Sequence, residues 1–386
     1  MKVYEGKLIR NVALTGHGNS GKTSLVAGML YLTGATNRLT RVDEGNTITD
    51  YDEEEIQRKI TISTGVAFVE WDKHKVNLLD TPGFNIFIND TKASLVAADA
   101  SLVLVDGVAG VEVQTEKVWA FAGEFKLPRA LVINKLDREN ASFERALASI
   151  HENFGRAAIP VQLPVGAERN FRGVIDLVQM KCYVYEPGGT GKGKEEPVPQ
   201  ELAEQARQAQ EALIEMVAEG NDALMEEFFE KGTLPPDRLV EGLRAAVREM
   251  RLFPVLCAGA LQNIGTDKIL DFIVDNFPAP NERGPRTGTL DGQEVERAVS
   301  DEEPVSAFVF KTVADPFAGR VSYFKVFSGV VKNDANLLNV RTGAVERLSH
   351  IGCLFGKTIQ PVTELHAGDI GRSEEHTSEL QSRTLI

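Results

Sequence analysis

The sequence predicts an α/β domain built on a parallel sheet, an inserted α+β subdomain, and a following β-rich domain. Three observations indicate this arrangement. Short apolar runs alternate with helical patterns in the first part of the chain. A long segment with its own helix and strands separates the fourth and fifth of these runs. From residue 305 onward, short strand-like runs and turns replace the helical pattern, which is typical of a small β-barrel.

Five apolar runs in the first part predict buried parallel strands. They are 9–14, 76–79, 101–105, 130–133 and Phe253–Cys257. The alternation at 61–71 is typical of an edge strand, and we expect it to pair beside 76–79. Because open parallel sheets bind ligands at the carboxyl ends of their strands, functional residues are expected there.

The domain boundaries follow from the same patterns. We expect a first domain at 7–280, with the insertion at about 155–251. The insertion is predicted to open with strands, pass through a Gly-rich loop at 187–194, and form an amphipathic helix at 201–219. A Pro- and Gly-rich linker is expected at 281–304, followed by a β-barrel domain at 305–371.

Composition excludes several classes of protein. The chain has 386 residues, of which 42% are hydrophobic and 25% charged, as is usual for globular proteins. It has no apolar run of about 20 residues and no signal-peptide pattern at 1–10, which predicts a cytoplasmic protein without membrane association. The net charge of −14 argues against DNA binding and restricts any RNA contact to local basic patches. The three cysteines lie outside any CxxC motif and are expected to be buried free thiols.

A phosphate-binding loop follows the first predicted strand and precedes a helix predicted at 24–32. Its glycines let backbone N–H groups close around phosphates. Lys22 is expected to reach the β- and γ-phosphates, and the Thr23 hydroxyl to hold Mg²⁺. The full pattern, with the adjoining helix residue, comprises Gly16, His17, Gly18, Asn19, Ser20, Gly21, Lys22, Thr23 and Ser24. The sequence therefore predicts a P-loop nucleotide-binding domain.

A second phosphate-facing motif consists of Asp80, Thr81, Pro82 and Gly83, directly after the predicted strand at 76–79. An Asp at this place is expected to contact Mg²⁺, directly or through water. The Gly83 N–H could touch the γ-phosphate and so sense its presence. Alone these residues could form a simple turn, but in register after a P-loop they indicate a nucleotide switch.

Asn134, Lys135 and Asp137 follow the strand predicted at 130–133 and are expected to select the base. The Asp137 carboxylate can accept two hydrogen bonds from guanine, worth about 1.5–3 kcal/mol each, whereas adenine offers no such pair. Asn134 is expected to bond the acceptor edge of the base, and the Lys135 stem to lie along it. GTP and GDP are therefore the predicted ligands.

A short segment after the last predicted strand is expected to complete the base site. It consists of Gly259, Ala260 and Leu261. One of its backbone N–H groups could meet the guanine carbonyl oxygen. The segment is weak evidence by itself and gains meaning from its place at the carboxyl end of a strand.

Thr61 lies between the P-loop and Asp80, behind an acidic stretch at 50–55 that we expect to be mobile. Thr61 is placed to complete Mg²⁺ coordination when the γ-phosphate is bound, and so to order this loop. The alternative, from the residues alone, is a plain loop that enters a strand. The predicted metal-binding residues are thus Thr23, Thr61 and Asp80.

With these motifs in order, the chain resembles elongation factor G. The order of the motifs is that of translational GTPases, and both the insertion and the second domain contain short sequence motifs similar to those of the family. These motifs lie at 162–166, 171–177, 224–226, 315–320 and 327–330. The resemblance covers about residues 7–371. It implies a P-loop G domain with an inserted α+β subdomain, hydrolysis of GTP to GDP and phosphate, and the ribosome as partner.

The sequence departs from that family at the catalytic position. Family members usually carry His after the Asp-Thr-Pro-Gly run, where it positions the attacking water, whereas this chain has Phe84. The predicted catalytic residues are therefore Lys22, Thr61, Gly83 and Phe84, which stands at the position of the usual His. This replacement bears on hydrolysis of GTP and not on its binding. Lys59 replaces the usual Gly of the motif that contains Thr61, and Gly259 replaces the usual Ser of the last motif. Both changes are expected to be tolerated, because these motifs contact the nucleotide largely through backbone atoms or through Thr61.

The end of the chain is a further departure. Family members usually continue with three more domains, so we expect the β-barrel at 305–371 to be incomplete. Residues 372–386 do not resemble the family and look like a translated sequencing adapter. We expect this tail to be non-native, and resequencing of the source gene would contradict this if the tail were encoded there.

Several functions stay open at this level. The leading interpretation is a GTPase that acts on the ribosome in translocation or ribosome recycling. The alternative is a GTP-gated ribosome-binding module with little hydrolysis because of Phe84. A P-loop ATPase or kinase is a third interpretation, against which Asp137 argues, and a fragment without activity of its own is a fourth. The sequence does not separate translocation, recycling and ribosome protection.

Overall fold

The computed structural model describes residues 2–186, 188–290, 293–315 and 319–375. Helices and strands alternate in its first part, and strands dominate after residue 285. The described α-helices are α1 (Lys22–Leu32), α2 (Glu53–Arg58), α3 (Ile88–Ala97), α4 (Val113–Glu124), α5 (Phe143–Phe154), α6 (Gln200–Ala218), α7 (Asp222–Lys231), α8 (Pro236–Arg248) and α9 (Thr266–Asn276). No helix in these ranges combines the length and apolar character that crossing a bilayer requires.

The strands fall into one large mixed sheet, a small sheet in the insertion, a hairpin and the β-rich domain. In chain order they are β1 (Ile9–Gly16), β2 (Gly65–Trp71), β3 (His74–Asp80), β4 (Ala100–Asp106), β5 (Arg129–Asn134), β6 (Ala158–Pro160), β7 (Gln162–Val165), β8 (Gly173–Asp176), β9 (Lys181–Val184), β10 (Lys194–Glu196), β11 (Phe253–Cys257), β12 (Arg286–Leu290), β13 (Gln293–Arg297), β14 (Ser306–Asp315), β15 (Gly319–Ser328), β16 (Val331–Lys332), β17 (Ala335–Leu338), β18 (Val345–Phe355), β19 (Thr358–Pro361), β20 (Glu364–Leu365) and β21 (Ile370–Glu375).

The large sheet has the order β2-β3-β1-β4-β5-β11-β6. The five predicted strands are confirmed as β1, β3, β4, β5 and β11, and these pair in parallel. Their apolar residues are buried on both faces, as expected for strands covered by helices on each side. The carboxyl ends of these strands therefore meet at one edge of the sheet.

The predicted edge strand at 61–71 is confirmed only from Gly65, where β2 pairs antiparallel to β3. The preceding backbone N–H groups donate to carboxylates instead of to a strand. Ile62 N and Ser63 N both lie 3.0 Å from Glu55 Oε1, and Thr64 N donates to Asp90. The acidic stretch predicted as a mobile loop contains helix α2, whose start carries a capping box between Asp52 and Glu55.

The insertion is not a separate body. Its strand β6 is the last strand of the large sheet, next to β11, and the rest form the order β10-β9-β8-β7. One continuous apolar core joins Leu131 of the large sheet to Leu213 of α6 and Val247 of α8. The predicted helix at 201–219 is confirmed as α6. Helices α7 and α8 were not predicted, although Leu239, Leu243 and the other buried residues of α8 lie at helical spacing.

The segment predicted as a linker at 281–304 contains a β-hairpin. Strands β12 and β13 pair antiparallel, with Arg286 opposite Arg297. Residues 291 and 292, at the turn, lie outside the described residues. The hairpin was missed because Pro and Gly are frequent in this segment. Most residues of the two strands are exposed, so the sequence shows no alternation of apolar residues there.

The second domain is built from strands, as predicted. Its main sheet has the order β14-β15-β21-β18-β17, with β19 beside β18, and β16 pairs with β20. Strand β21 lies between β15 and β18, and the predicted limit at residue 371 falls inside it. Residues 316–318 of one family-like motif, and 376–386 of the tail, lie outside the described residues. The division of the chain into domains stays a prediction.

The two domains meet across buried charges. Lys75 Nζ on β3 lies 2.8 Å from both carboxylate oxygens of Asp369 in the second domain, and its side chain is 0% exposed. Lys325 Nζ lies 2.7 Å from Asp99 Oδ1, and both side chains are buried. Asn11 Nδ2 donates to Asp99 Oδ2 and to the Gly368 carbonyl oxygen, each at 2.7 Å, and so adds a further bond between the domains. These contacts hold the second domain against the large sheet.

The three cysteines are free and buried, as predicted. Burial raises the pKa of the Cys257 thiol well above its usual value. Desolvation disfavours the charged thiolate, so this sulfur is a poor nucleophile and a structural residue.

Candidate functional site

The phosphate-binding loop connects β1 to α1 at the carboxyl edge of the large sheet. Helix α1 begins at Lys22, two residues before the predicted start. Gly16 and Gly21 have φ angles of 140° and 94°, in the region that favours glycine. A Cβ atom on Gly16 would lie 2.5 Å from the Leu104 carbonyl oxygen, and one on Gly21 would lie 2.3 Å from Asn134 Nδ2. These glycines are therefore required by the backbone and by close neighbours.

Lys22 is held inside this loop. Its side chain is 5% exposed, and Nζ donates to the carbonyl oxygens of His17 at 2.8 Å and Gly16 at 3.2 Å. Burial lowers the pKa of Lys22 to about 8. A phosphate anion placed beside Nζ would favour the charged ammonium and oppose this shift.

The predicted metal-binding residues lie together behind the loop. The hydroxyl oxygens of Thr23 and Thr61 are 3.1 Å apart. Asp80 Oδ2 accepts a hydrogen bond from Thr49 at 2.6 Å. Asp80 Oδ1 and both carboxylate oxygens of Asp50 are buried and have no hydrogen-bond partner among the described residues. Asp50 was not predicted, and its only signal was membership of the acidic stretch at 50–55.

The electrostatics of these two carboxyl groups suit a cation. Burial, with the charge of Asp80, raises the pKa of Asp50 to about 8, and burial raises the pKa of Asp80 to about 6. Unpaired buried oxygens and hydroxyls are the ligands that Mg²⁺ prefers. The described residues hold no cluster of three or more His, Cys, Asp or Glu side chains placed to bind a metal. Hydroxyl groups and nucleotide phosphates would therefore have to complete the coordination of Mg²⁺.

Gly83 and Phe84 close over the phosphate loop. A Cβ atom on Gly83 would lie 2.6 Å from both the Gly18 nitrogen and Lys22 Nζ, so only glycine fits this contact. The ring tip of Phe84 reaches the same loop, because a Cβ atom on Gly18 would lie 2.7 Å from Phe84 Cζ. The preceding Thr81 is anchored to strand β1 through a hydrogen bond of 2.7 Å. Position 84 therefore faces the phosphate site with carbon atoms only.

Asn134 fastens two segments of the site together. Its Nδ2 donates to the Ser20 carbonyl oxygen at 2.9 Å, and its Oδ1 accepts from the Ala260 nitrogen at 3.0 Å. This bracing role was not predicted, since we expected Asn134 to bond the base. Lys135 forms an ion pair of 2.6 Å with Asp106, which keeps its stem in a fixed direction.

These segments enclose a cavity of about 300 Å³. The predicted residues that line it are Gly18, Asn19, Gly21, Lys22, Thr23, Ser24, Thr61, Gly83, Phe84, Asn134, Lys135, Ala260 and Leu261. The predicted residues that do not line it are Gly16, His17, Ser20, Asp80, Thr81, Pro82, Asp137 and Gly259. The other lining residues, which were not among the predicted site residues, are Arg41, Val42, Asp43, Asp50, Lys59, Ile60 and Arg138.

The loop that carries Thr61 is also tied to the second domain. Tyr51 and Tyr323 are joined through their hydroxyls at 3.1 Å. Lys311 Nζ donates to the Ser63 hydroxyl at 2.5 Å and to the carbonyl oxygen of the next residue at 2.6 Å. The position of this loop therefore depends on both domains.

Three features define a P-loop protein with a G domain. They are the glycine-rich loop between β1 and α1, the buried cluster of hydroxyl and carboxylate groups behind it, and the Asn134 and Ala260 segments joined at the edge of the sheet. Comparison with known families agrees with this class. Residues 7–279 match the elongation factor Tu GTP binding domain, and residues 304–381 match elongation factor G domain 2. The chain belongs to the elongation factor G family of translational GTPases.

A solved structure supports the same placement. The chain is similar to a crystal structure of a protein from Thermus thermophilus, with 34% sequence identity and a TM-score of 0.86. The match covers 98% of this chain and 54% of that protein. The chain thus spans about half the length of this relative.

Proposed function

We propose that the chain binds GTP and GDP with Mg²⁺ in the cytoplasm, and hydrolyses GTP to GDP and phosphate on the ribosome during translocation or ribosome recycling. The observation that carries this proposal is the cavity shared by Lys22, the Thr23 and Thr61 hydroxyls, and the Asn134 segment. Ribosomal RNA and ribosomal proteins are the proposed partners.

Different residues of the chain would bind the phosphates and the Mg²⁺ ion. Lys22 would exchange its loop carbonyl partners for β- and γ-phosphate oxygens, and the P-loop N–H groups would surround the same phosphates. Thr23, Thr61 and Asp80 would hold Mg²⁺, with Asp50 close enough to add charge. Bound Mg²⁺ would neutralise charge on the phosphate oxygens. Because Gly83 packs on the P-loop, its N–H is placed to report the γ-phosphate.

The guanine base would be selected at the end of the cavity lined by Asn134, Lys135 and Ala260, beside which Asp137 lies without lining it. Asp137 is half-buried beside Gly259, since a Cβ atom there would lie 3.2 Å from Asp137 Oδ1. Its carboxylate is proposed to accept hydrogen bonds from guanine N1–H and N2–H₂. The Ala260 and Leu261 segment, held by Asn134, would face the guanine carbonyl oxygen.

A GTP-gated ribosome-binding module is the second candidate function. The observation that favours it is the Phe84 ring, which faces the phosphate loop at the position where family members usually have His. A phenyl ring cannot accept a proton or orient a water molecule by hydrogen bonding. In this case GTP binding would control contact with the ribosome while hydrolysis stays slow.

Single-turnover GTP hydrolysis with purified ribosomes tests the proposal. We expect slow intrinsic hydrolysis and a faster rate with ribosomes, because related GTPases gain about 10³–10⁵-fold from a partner that completes the site. Tight GTP binding without stimulated hydrolysis would favour the binding module. Absence of measurable GTP and GDP binding would contradict both candidate functions.

Replacing Asp137 with Asn is expected to weaken GDP binding by about 100-fold and to improve xanthosine diphosphate binding. An amide can donate to the xanthine carbonyl, but it has one uncharged acceptor oxygen where the carboxylate offers two to guanine N1–H and N2–H₂. Calorimetric titration of both nucleotides measures this change. Glu139→Gln is the matched control, since Glu139 is exposed and forms a surface ion pair of 4.0 Å with Arg169. Equal loss of affinity for both nucleotides in Asp137→Asn would argue against a base-selective role.

A further inference from the structure

The turn between β7 and β8, at residues 166–172, lies beside both base-facing segments. It belongs to the insertion, and β7 is anchored next to β11, the strand that leads into the second base segment. Gln162 Oε1 accepts a hydrogen bond of 3.0 Å from the Cys257 nitrogen. The turn itself is tight, because Gly166 has a φ of 80° and a Cβ atom there would lie 2.0 Å from the Asn170 carbonyl oxygen.

Two contacts join this turn to the base site. The first is to the chain just after Asp137, where Asn140 N donates to Glu168 Oε1 at 2.8 Å. The second is made by Phe171, which is 4% exposed. A Cβ atom on Gly259 would lie 3.2 Å from Phe171 Cε1 and 3.2 Å from Asp137 Oδ1. The aromatic ring and the carboxylate therefore meet at the same glycine.

This arrangement places an apolar ring from outside the G-domain motifs and the Asp137 carboxylate against the same side of Gly259. Burial raises the pKa of Asp137 above its usual value. A partly desolvated carboxylate at neutral pH forms stronger hydrogen bonds with a bound base than one surrounded by water. The ring edge also occupies space beside Gly259, so removal of the Phe171 ring would leave room there for the Gly259 backbone or the carboxylate to move.

We propose that residues 166–172, with Phe171 at the centre, form a positioning element that sets the preference for guanine nucleotides over other purine nucleotides. This inference rests on the proposed binding of GTP and GDP. Phe171 is a positioning residue, since it acts through Asp137 and Gly259. Glu168 supports the same element by holding the backbone that follows Asp137.

Affinities for GDP and for inosine diphosphate test the inference, because inosine lacks the N2 amino group that Asp137 would bind. In Phe171→Ala the preference for GDP over inosine diphosphate is expected to fall about tenfold, the loss expected from weakening one charge-assisted hydrogen bond. Phe171→Leu, which restores an apolar side chain, is expected to regain part of this preference. A purely structural role would lower the melting temperature and leave the ratio of the two affinities unchanged.

Phe229→Ala is the matched control, since Phe229 lies on α7 of the same insertion and is 78% exposed. It should keep the wild-type ratio. A folded Phe171→Ala variant with a ratio within about twofold of wild type would overturn the inference. If that variant does not fold, Glu168→Ala replaces it, and an unchanged ratio there would overturn the inference equally. Failure of the proposed function is distinct, because the wild-type chain would then show no measurable binding of GTP or GDP.

Discussion

Replacing Phe84 with His is expected to raise ribosome-stimulated GTP hydrolysis by about 10²–10⁴-fold, the usual contribution of a positioned side chain that takes part in proton transfer. The ring of Phe84 already reaches the phosphate loop at Gly18. An imidazole at this place would bring a hydrogen-bonding nitrogen to the region where water must approach the γ-phosphate. Single-turnover rates with and without ribosomes measure the effect.

The control for this substitution is Phe84→Leu, which removes the ring without adding a hydrogen-bonding atom. It should leave hydrolysis near the wild-type rate, and both variants should bind GTP within about threefold of wild type. A gain in Phe84→Leu equal to that in Phe84→His would mean that the ring blocks water sterically. No gain in either variant would show that Phe84 does not limit hydrolysis.

Replacing Lys75 with Met is expected to destabilise the protein by about 3–5 kcal/mol, because it leaves the buried Asp369 carboxylate without its charged partner. Burial alone lowers the pKa of Lys75, but Asp369 and Cys353 beside its ammonium group raise the pKa above the usual lysine value. The interface between the domains contains a second buried pair, of Lys325 and Asp99, which would remain intact. Urea denaturation followed by circular dichroism measures the loss in free energy of unfolding.

Two further variants define this effect. Arg347→Met breaks the exposed pair with Asp334 and should cost less than about 1 kcal/mol. The double variant Lys75→Met with Asp369→Leu should recover much of the lost stability, since it replaces an ion pair with apolar side chains. If Lys75→Met alone cost as little as Arg347→Met, the buried pair would not contribute to holding the domains together.

The strands of the large sheet could be predicted because they are buried on both faces and read as continuous apolar runs. The start of β2 could not, since Glu55 and Asp90 take the N–H groups that would otherwise extend the strand. The hairpin of β12 and β13 was missed for a different reason. Its strands are mostly exposed, so neither apolar alternation nor burial marked them.

The residues of the candidate site also fall into two groups, those that a sequence motif marks and those that no motif marks. Gly18, Gly21 and Lys22 line the cavity as expected, because they belong to a motif whose spacing follows from phosphate chemistry. The role of Asp137 in selecting the base stays a prediction. Asp50 could not be predicted as a lining residue, because only the folded chain brings its segment to the cavity. The bracing role of Asn134 was missed, because its partners, Ser20 and Ala260, lie far from it in sequence.

The place of the insertion has a consequence for how the protein folds. Strands β5 and β11 are neighbours, with Val255 opposite Leu131, yet the whole insertion separates them along the chain. During synthesis the sheet can pair β1, β3, β4 and β5 early, whereas β11 and the base segment after it arrive only once the insertion has emerged. Closing so long a loop costs entropy and slows folding. We therefore expect a nascent intermediate that has its P-loop but no complete base site, and that exposes the free edge of β5 until β11 docks.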